Sequence, residues 1–145
     1  MKDGGKGLVR DHSNAAREAG VQTWFNAPAT SLLTDDAGAI VGVEVLKDGR
    51  PTKLYSSAVV LACGGFESNS KMRAQYLGPG WDLAYVRGTP YNTGDGFAMT
   101  EQIAKTVGNW SGCHSTAWDA GAPKDEGDPV LTNQFTKSGY PLGIM

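Results

Sequence analysis

Cys63-Gly64-Gly65 closes an apolar run, residues 58–62, and raises the first chemical question in this sequence. A buried strand ending in paired glycines lets the backbone come within contact distance of a flat or charged group. Ligands of open α/β sheets lie beyond the carboxyl ends of the strands. The same pair also suits a tight turn that needs positive φ, and the residues alone leave both readings open. Asn92-Thr93-Gly94-Asp95-Gly96 is the second signal. A loop of this kind opening a helix offers free backbone N–H groups to acceptor oxygens, while Asp95 as a plain helix cap fits equally. His114, beside Cys113 and Ser115 in "WSGCHSTAWD", is the third. Nucleophile–base partners meet in space rather than in sequence, so adjacency to Cys113 argues little. Cys63, Cys113, His12 and His114 lack metal-ligand spacing, and no metal site is expected. "GGKG" near the start lacks the spacing of a P-loop.

Those residues need elements to place them. Leu8, Val9, His12, Ala15, Ala16 and Ala19 recur at helical spacing, so residues 5–19 read as a helix with Gly20 as its stop. "VQTWF" (21–25) reads as a short strand after it, the second half of an α/β unit. "ATSLLTD", "AIVGVEVLK" and "PTKLYSS", joined through "DDAG" and "DGR", read as an antiparallel meander, in which Val41, Val43 and Val45 alternate with Gly42 and Glu44. "AVVLA" (58–62) shows no alternation and reads as a strand covered on both faces, as in a parallel sheet. "SNSKMRAQYLG" (68–78) reads as a short helix capped by Ser68 or Asn69 and stopped at Gly78. "TGDGFAMTEQIAKTVG" reads as a loop entering another helix, with Phe97, Ile103, Ala104 and Val107 on its apolar side. Beyond Asn109 the chain is rich in Gly, Pro, Asp and aromatics, and regular elements are short or absent. A boundary falls near residues 70–80, giving 1–75 as a nucleotide-binding type of unit and 76–145 as an irregular one.

Composition narrows the classes of function. The 145 residues suffice for one domain, and 40% hydrophobic content suits a globular one. A net charge of −2 gives no reason to expect a nucleic-acid or anionic-membrane partner. No run reaches the roughly 18 apolar residues of a spanning helix, and the N-terminus lacks the apolar stretch of a secretory signal. With two cysteines 50 positions apart, reduced thiols in the cytoplasm are the expected state, although one disulfide or a thiol-based redox role is also conceivable. The 20 glycines follow no period and cluster at the ends of patterned segments, where turns or close approaches need them.

Together, "SSAVVLACGGFESNSKMRAQYL", "RGTPYNTGDGFAM" and the stretch from "GGKGLV" to "VGVEV" resemble the flavoprotein subunits of the fumarate reductase/succinate dehydrogenase family. "YLGPGWDLAYVRGTPYNTGDG" and "WSGCHSTAWDA" are most similar to its FAD-dependent tricarballylate dehydrogenase branch. The resemblance implies an α/β fold, α+β if taken as a fragment: part of a Rossmann-like FAD-binding domain with an inserted antiparallel β-meander, running into an irregular cap domain. It implies FAD as cofactor and a di- or tricarboxylate as substrate. It further implies cofactor contacts from Ala29, Ala62, Gly64, Gly65, Thr93, Gly94 and Asp95, and a substrate carboxylate contact from His114. Cys63 stands where the family often has threonine, and "CHSTAWD" replaces a His-Pro-Thr that lies further along. No GxGxxG turn occurs, and the family's catalytic arginine has no match here. The chain is therefore expected to be an internal fragment, without catalytic residues of its own, inactive alone, holding FAD weakly or not at all, and prone to dimerise through exposed sheet edges. A non-catalytic binding module of the same ancestry, or a dehydrogenase of another substrate such as a ketosteroid, is the alternative.

Overall fold

A computed structural model describes residues 4–86, 89–105 and 107–112. They form a mixed arrangement of helices and one small antiparallel sheet, the class expected from the sequence. Helix α1 spans Gly4–Glu18, strands β1, β2 and β3 span Ala29–Thr34, Ile40–Lys47 and Arg50–Tyr55, and helices α2 and α3 span Ser70–Leu77 and Asp95–Thr100. A single 3₁₀ turn, Trp81–Leu83, lies between the last two helices and packs against α2.

The ends of α1 and of the hairpins follow from local chemistry. Gly20 takes φ 77°. Its N–H donates to the Arg17 carbonyl at 3.0 Å, and the Val21 N–H donates to the Ala16 carbonyl at 2.9 Å. This is the paired-bond ending in which a left-handed glycine satisfies the last carbonyls of a helix. Asp35 builds the first hairpin turn: its Oδ1 accepts from the Ala37 and Ala39 N–H groups at 3.0 and 2.9 Å. Asp48 and Gly49, with φ 50° and 76°, make the second turn, whose twist matches the flanking strands. The sheet order is β1-β2-β3, with Leu32 opposite Val43 and Val43 opposite Leu54.

Gly42, in the central strand, sits between Leu33 and Tyr55. A Cβ there would run into the Leu54 carbonyl oxygen and come within 3.0 Å of the Tyr55 Cα. Backbone atoms cannot step aside as a side chain can. Gly42→Val is therefore expected to cost about 3 kcal/mol by overpacking, read as a lower urea midpoint together with loss of the β2–β3 amide protection. Unchanged protection in that variant would count against the close approach.

Two expected strands are not strands. Residues 21–25 are exposed and unpaired. Asn26, at φ 52°, turns the chain away, and the segment is instead tethered to β2 by the Lys47 ammonium, which donates to the Phe25 carbonyl at 3.4 Å and lies 5.8 Å from the Trp24 ring centroid. Residues 58–62 are apolar but lie outside the sheet, and Val60 is 87% exposed. Among the described residues no hydrogen bond engages the backbone of residues 59–64. β-branched side chains favour an extended backbone, but pairing requires a neighbouring strand, and none of the described residues supplies one. α3 is also shorter than its pattern. The Thr100 hydroxyl donates to the Gly96 and Phe97 carbonyls at 2.8 and 3.1 Å, a local alternative that weakens continuation of a helix.

Val45 and Val86 are the well-buried apolar side chains among the described residues, at 6% and 5% exposure. Among the described residues the buried charged side chain is Arg73, at 3%. Its guanidinium donates to four backbone carbonyls, those of Glu67, Trp81 (2.9 Å), Asp82 (3.3 Å) and Ala84 (3.1 Å). One α2 side chain thus fastens both the entry to its own helix and the 3₁₀ turn that follows it. No helix among the described residues is long and apolar enough to cross a membrane.

Candidate functional site: a junction of two glycine-bearing loops

The two glycine signals meet in space. The first arm is residues 62–69, "ACGGFESN"; the second is residues 89–96, "TPYNTGDG". The Gly94 N–H donates to the Gly65 carbonyl at 3.0 Å, and the Ser68 N–H to the Asn92 carbonyl at 3.0 Å. The Ser68 hydroxyl donates to the Thr89 carbonyl at 2.6 Å, and the Asn69 amide to the Thr93 carbonyl at 2.8 Å. The Asn92 amide donates to the Glu67 carboxylate. Five hydrogen bonds therefore lock segments more than 20 residues apart.

Each arm has a local reason for its shape. Gly64 takes φ 78°, and a Cβ there would stand 2.6 Å from the Asn92 Oδ1, so this position serves as turn and close approach together. Residues 66–69 turn back through the Asn69 N–H, which donates to the Phe66 carbonyl at 2.9 Å. Asn69 then caps α2 by accepting from the Met72 N–H at 3.1 Å, which decides between the two expected caps. In the second arm Gly94, at φ 89°, is the N-cap of α3, and Asp95 is its first residue. The Asp95 carboxylate accepts from the Thr93 hydroxyl at 2.8 Å rather than closing the helix end itself.

Six of the residues singled out in the sequence are brought together here: Ala62, Gly64 and Gly65 on one arm, and Thr93, Gly94 and Asp95 on the other. Ala62 and Gly64 are exposed, Gly65 and Thr93 half-buried, Gly94 buried and Asp95 exposed. Ala29 stands apart, exposed at the first position of β1 and paired with Val45; α3 packs against that strand. His114 and Cys113 lie outside the described residues. Cys63 is an exposed free thiol whose Sγ rests on Gly96, where an added Cβ would be 2.8 Å away. Among the described residues no group of His, Cys, Asp and Glu is arranged to hold a metal ion.

Beside the junction lies an open cleft of about 730 Å³, whose lining includes Asn69, Thr93, Gly94 and Asp95 together with Tyr76 and Trp110. Phe66, Tyr76, Phe97 and Trp110 pack ring against ring there, with centroids 4.6 to 6.1 Å apart. Tilted and edge-to-face pairs of this kind make a rigid backing for both arms. Sequence reasoning missed Glu67, Ser68 and Asn92 as fasteners, and Arg73 altogether. The available signal was weak: short polar side chains with both donors and acceptors, flanking each glycine pair.

The first arm is the part of the junction that could hold a flat nucleotide cofactor. Residues 62–64 are exposed, Gly64 without a side chain, and their N–H and C=O groups are not used up by the described residues. Residues 2–115 match the sequence model of the FAD binding domain family. The chain belongs to the FAD binding domain family. Members similar to it act as oxidoreductases by name. A 3-oxosteroid 1-dehydrogenase of Comamonas testosteroni is 40% identical over 75 residues, which cover 51% of this chain and 13% of that protein. A probable fumarate reductase, Ifc3, of Shewanella frigidimarina (strain NCIMB 400) is 30% identical over 120 residues, 79% of this chain and 20% of that protein. The open conformation of a flavocytochrome c3 fumarate reductase superposes with a TM-score of 0.62 at 28% identity, covering 73% of this chain and 19% of the other. This FAD binding domain chain thus spans a fifth or less of the length of those relatives.

Proposed function

We propose that the complete protein is an FAD-dependent dehydrogenase or reductase acting at a carbon–carbon bond next to carboxylates, in the manner of a tricarballylate dehydrogenase. The junction of residues 62–65 with 92–95 carries this reading, because it sets exposed bare backbone and a helix-opening glycine loop side by side. Bound FAD supplies the hydride acceptor or donor. Ala62, Gly64 and Gly65 hold its flat face by close backbone approach. Thr93, Gly94 and Asp95 bound it from the second arm, and Ala29 meets the adenine end. His114 binds a substrate carboxylate, on a cap unit made of residues 76–145 against an FAD unit made of residues 1–75. A reducing cytoplasm suits the two thiols.

A second reading, a 3-ketosteroid dehydrogenase, is favoured by one specific observation, the 40% identity to the Comamonas testosteroni protein. Both readings share the flavin and differ in the acid groups of the substrate. The test is a two-step assay of the complete protein. Stoichiometric flavin absorbance is expected first, whereas residues 1–145 alone, without a GxGxxG turn, are expected to hold FAD weakly or not at all. Turnover is then measured against tricarballylate, fumarate and a 3-oxosteroid, with an artificial electron carrier. Activity on the carboxylates supports the first reading. Activity confined to the steroid removes it in favour of the second, and a colourless complete protein removes both.

A further inference from the structure

One peptide unit in the junction is held from both ends. The Thr93 carbonyl accepts from the Asn69 Nδ2 at 2.8 Å, and the N–H of the same peptide, that of Gly94, donates to the Gly65 carbonyl at 3.0 Å. A peptide that precedes a glycine is the kind most easily rotated, because glycine accepts both signs of φ. Here Gly94 sits at φ 89° and ψ 19°, one of the two turn states available to it. Asn69 is well placed to choose between them. Its Oδ1 is already committed to the Met72 N–H as the cap of α2, so the amide group cannot turn over without losing the cap. The fixed end of a helix thus dictates which way a peptide 24 residues further along the chain must face.

We propose that Asn69 is a positioning residue for the cofactor. Through the Thr93 carbonyl it fixes the orientation of the Thr93–Gly94 peptide, and with it the placement of Thr93–Asp95 opposite Gly64 and Gly65. The N–H of that peptide is used inside the protein, and its carbonyl is turned toward Asn69. The second arm therefore offers a flavin nucleotide the Thr93 and Asp95 groups and not the Gly94 N–H. This inference rests on the FAD reading above.

Asn69→Asp separates the two tasks of the side chain. Aspartate caps a helix as well as asparagine does, so the α2 cap survives. It has no N–H for the Thr93 carbonyl and sets a carboxylate against it, so the peptide loses its hold. The complete protein, wild type and Asn69→Asp, is titrated with FAD after flavin removal, and the visible absorbance and circular dichroism of the bound flavin are recorded. Asn69→Ala, which loses both tasks, serves as the stability reference. About tenfold weaker FAD binding is expected for Asn69→Asp, the effect of roughly one lost hydrogen bond. A changed visible flavin spectrum is expected with it, and a fall in the thermal midpoint of the apoprotein smaller than that of Asn69→Ala, because the α2 cap is kept while one hydrogen bond is lost. The proposal is overturned by wild-type affinity and spectrum in Asn69→Asp, or by weaker binding accompanied by the same fall in thermal midpoint as Asn69→Ala, which marks a cap and nothing more. A wild-type protein that takes up no flavin overturns the FAD reading and this inference together, and that outcome is distinct from the other two.

Discussion

Arg73→Ala is expected to remove about 3 kcal/mol of stability, the largest single effect foreseen outside the sheet. The guanidinium is nearly inaccessible and donates to carbonyls of Glu67, Trp81, Asp82 and Ala84. Hydrogen bonds from a charged donor contribute roughly 1.5–3 kcal/mol each when removed singly. The carbonyls near the surface regain water after truncation, so the sum is far below four times that figure. Lysine is not a substitute, because one ammonium cannot match the forked geometry that reaches carbonyls on both sides. A urea titration of wild type, Arg73→Ala and Arg73→Lys reads the effect, with Arg73→Lys expected close to the alanine variant. A lysine variant as stable as wild type would show that charge alone, rather than the fork, holds the 3₁₀ turn.

The second large effect is expected at Gly94. Its φ of 89° lies in the region that side chains rarely adopt, and an added Cβ would strike the Met72 sulfur and come within 3.3 Å of the Phe66 Cβ. The conformational part costs about 1–3 kcal/mol. The steric part is smaller where Met72 can swing aside, since methionine is the most adaptable of core side chains. Gly94→Ala is expected to lose about 2–3 kcal/mol on these grounds. Asparagine tolerates the left-handed region, so Gly94→Asn is expected to recover about 1 kcal/mol of that loss. Thermal midpoints of the two variants make the comparison, and equal losses would assign the whole effect to crowding against Met72.

Parts of this architecture were legible because their causes are local. Asp48-Gly49 announced its hairpin, since few other dipeptides accept positive φ twice in succession. Gly20 and Gly78 marked the ends of α1 and α2 for similar reasons. The two glycine loops were visible as signals, but not as partners: nothing in residues 65–69 says that their donors and acceptors match residues 89–94. The apolar run at 58–62 was misleading for a related reason. Its composition specifies an extended backbone, whereas burial depends on what lies alongside, a property of the whole fold. The shortness of α3 was not legible either: its apolar pattern runs past Thr100, the last residue of the helix. Arg73 was invisible because a charged residue in a short helix ordinarily faces water, and only the course of the chain through residues 81–84 gives it carbonyls to bind.

The latch between the two arms has a thermodynamic consequence. Its bonds span 21 to 29 residues of sequence, so closing it costs the entropy of a sizeable loop, which grows only as about (3/2)RT ln n. A ligand lying across both arms binds only the closed form. Its affinity is then diminished by the population of open junctions, and the closed form is stabilised by RT ln(1 + [L]/Kd). The ligand and the loop thereby share one free energy: whatever loosens the latch weakens binding, and whatever saturates the site slows the opening of a stretch of chain that the ligand never touches.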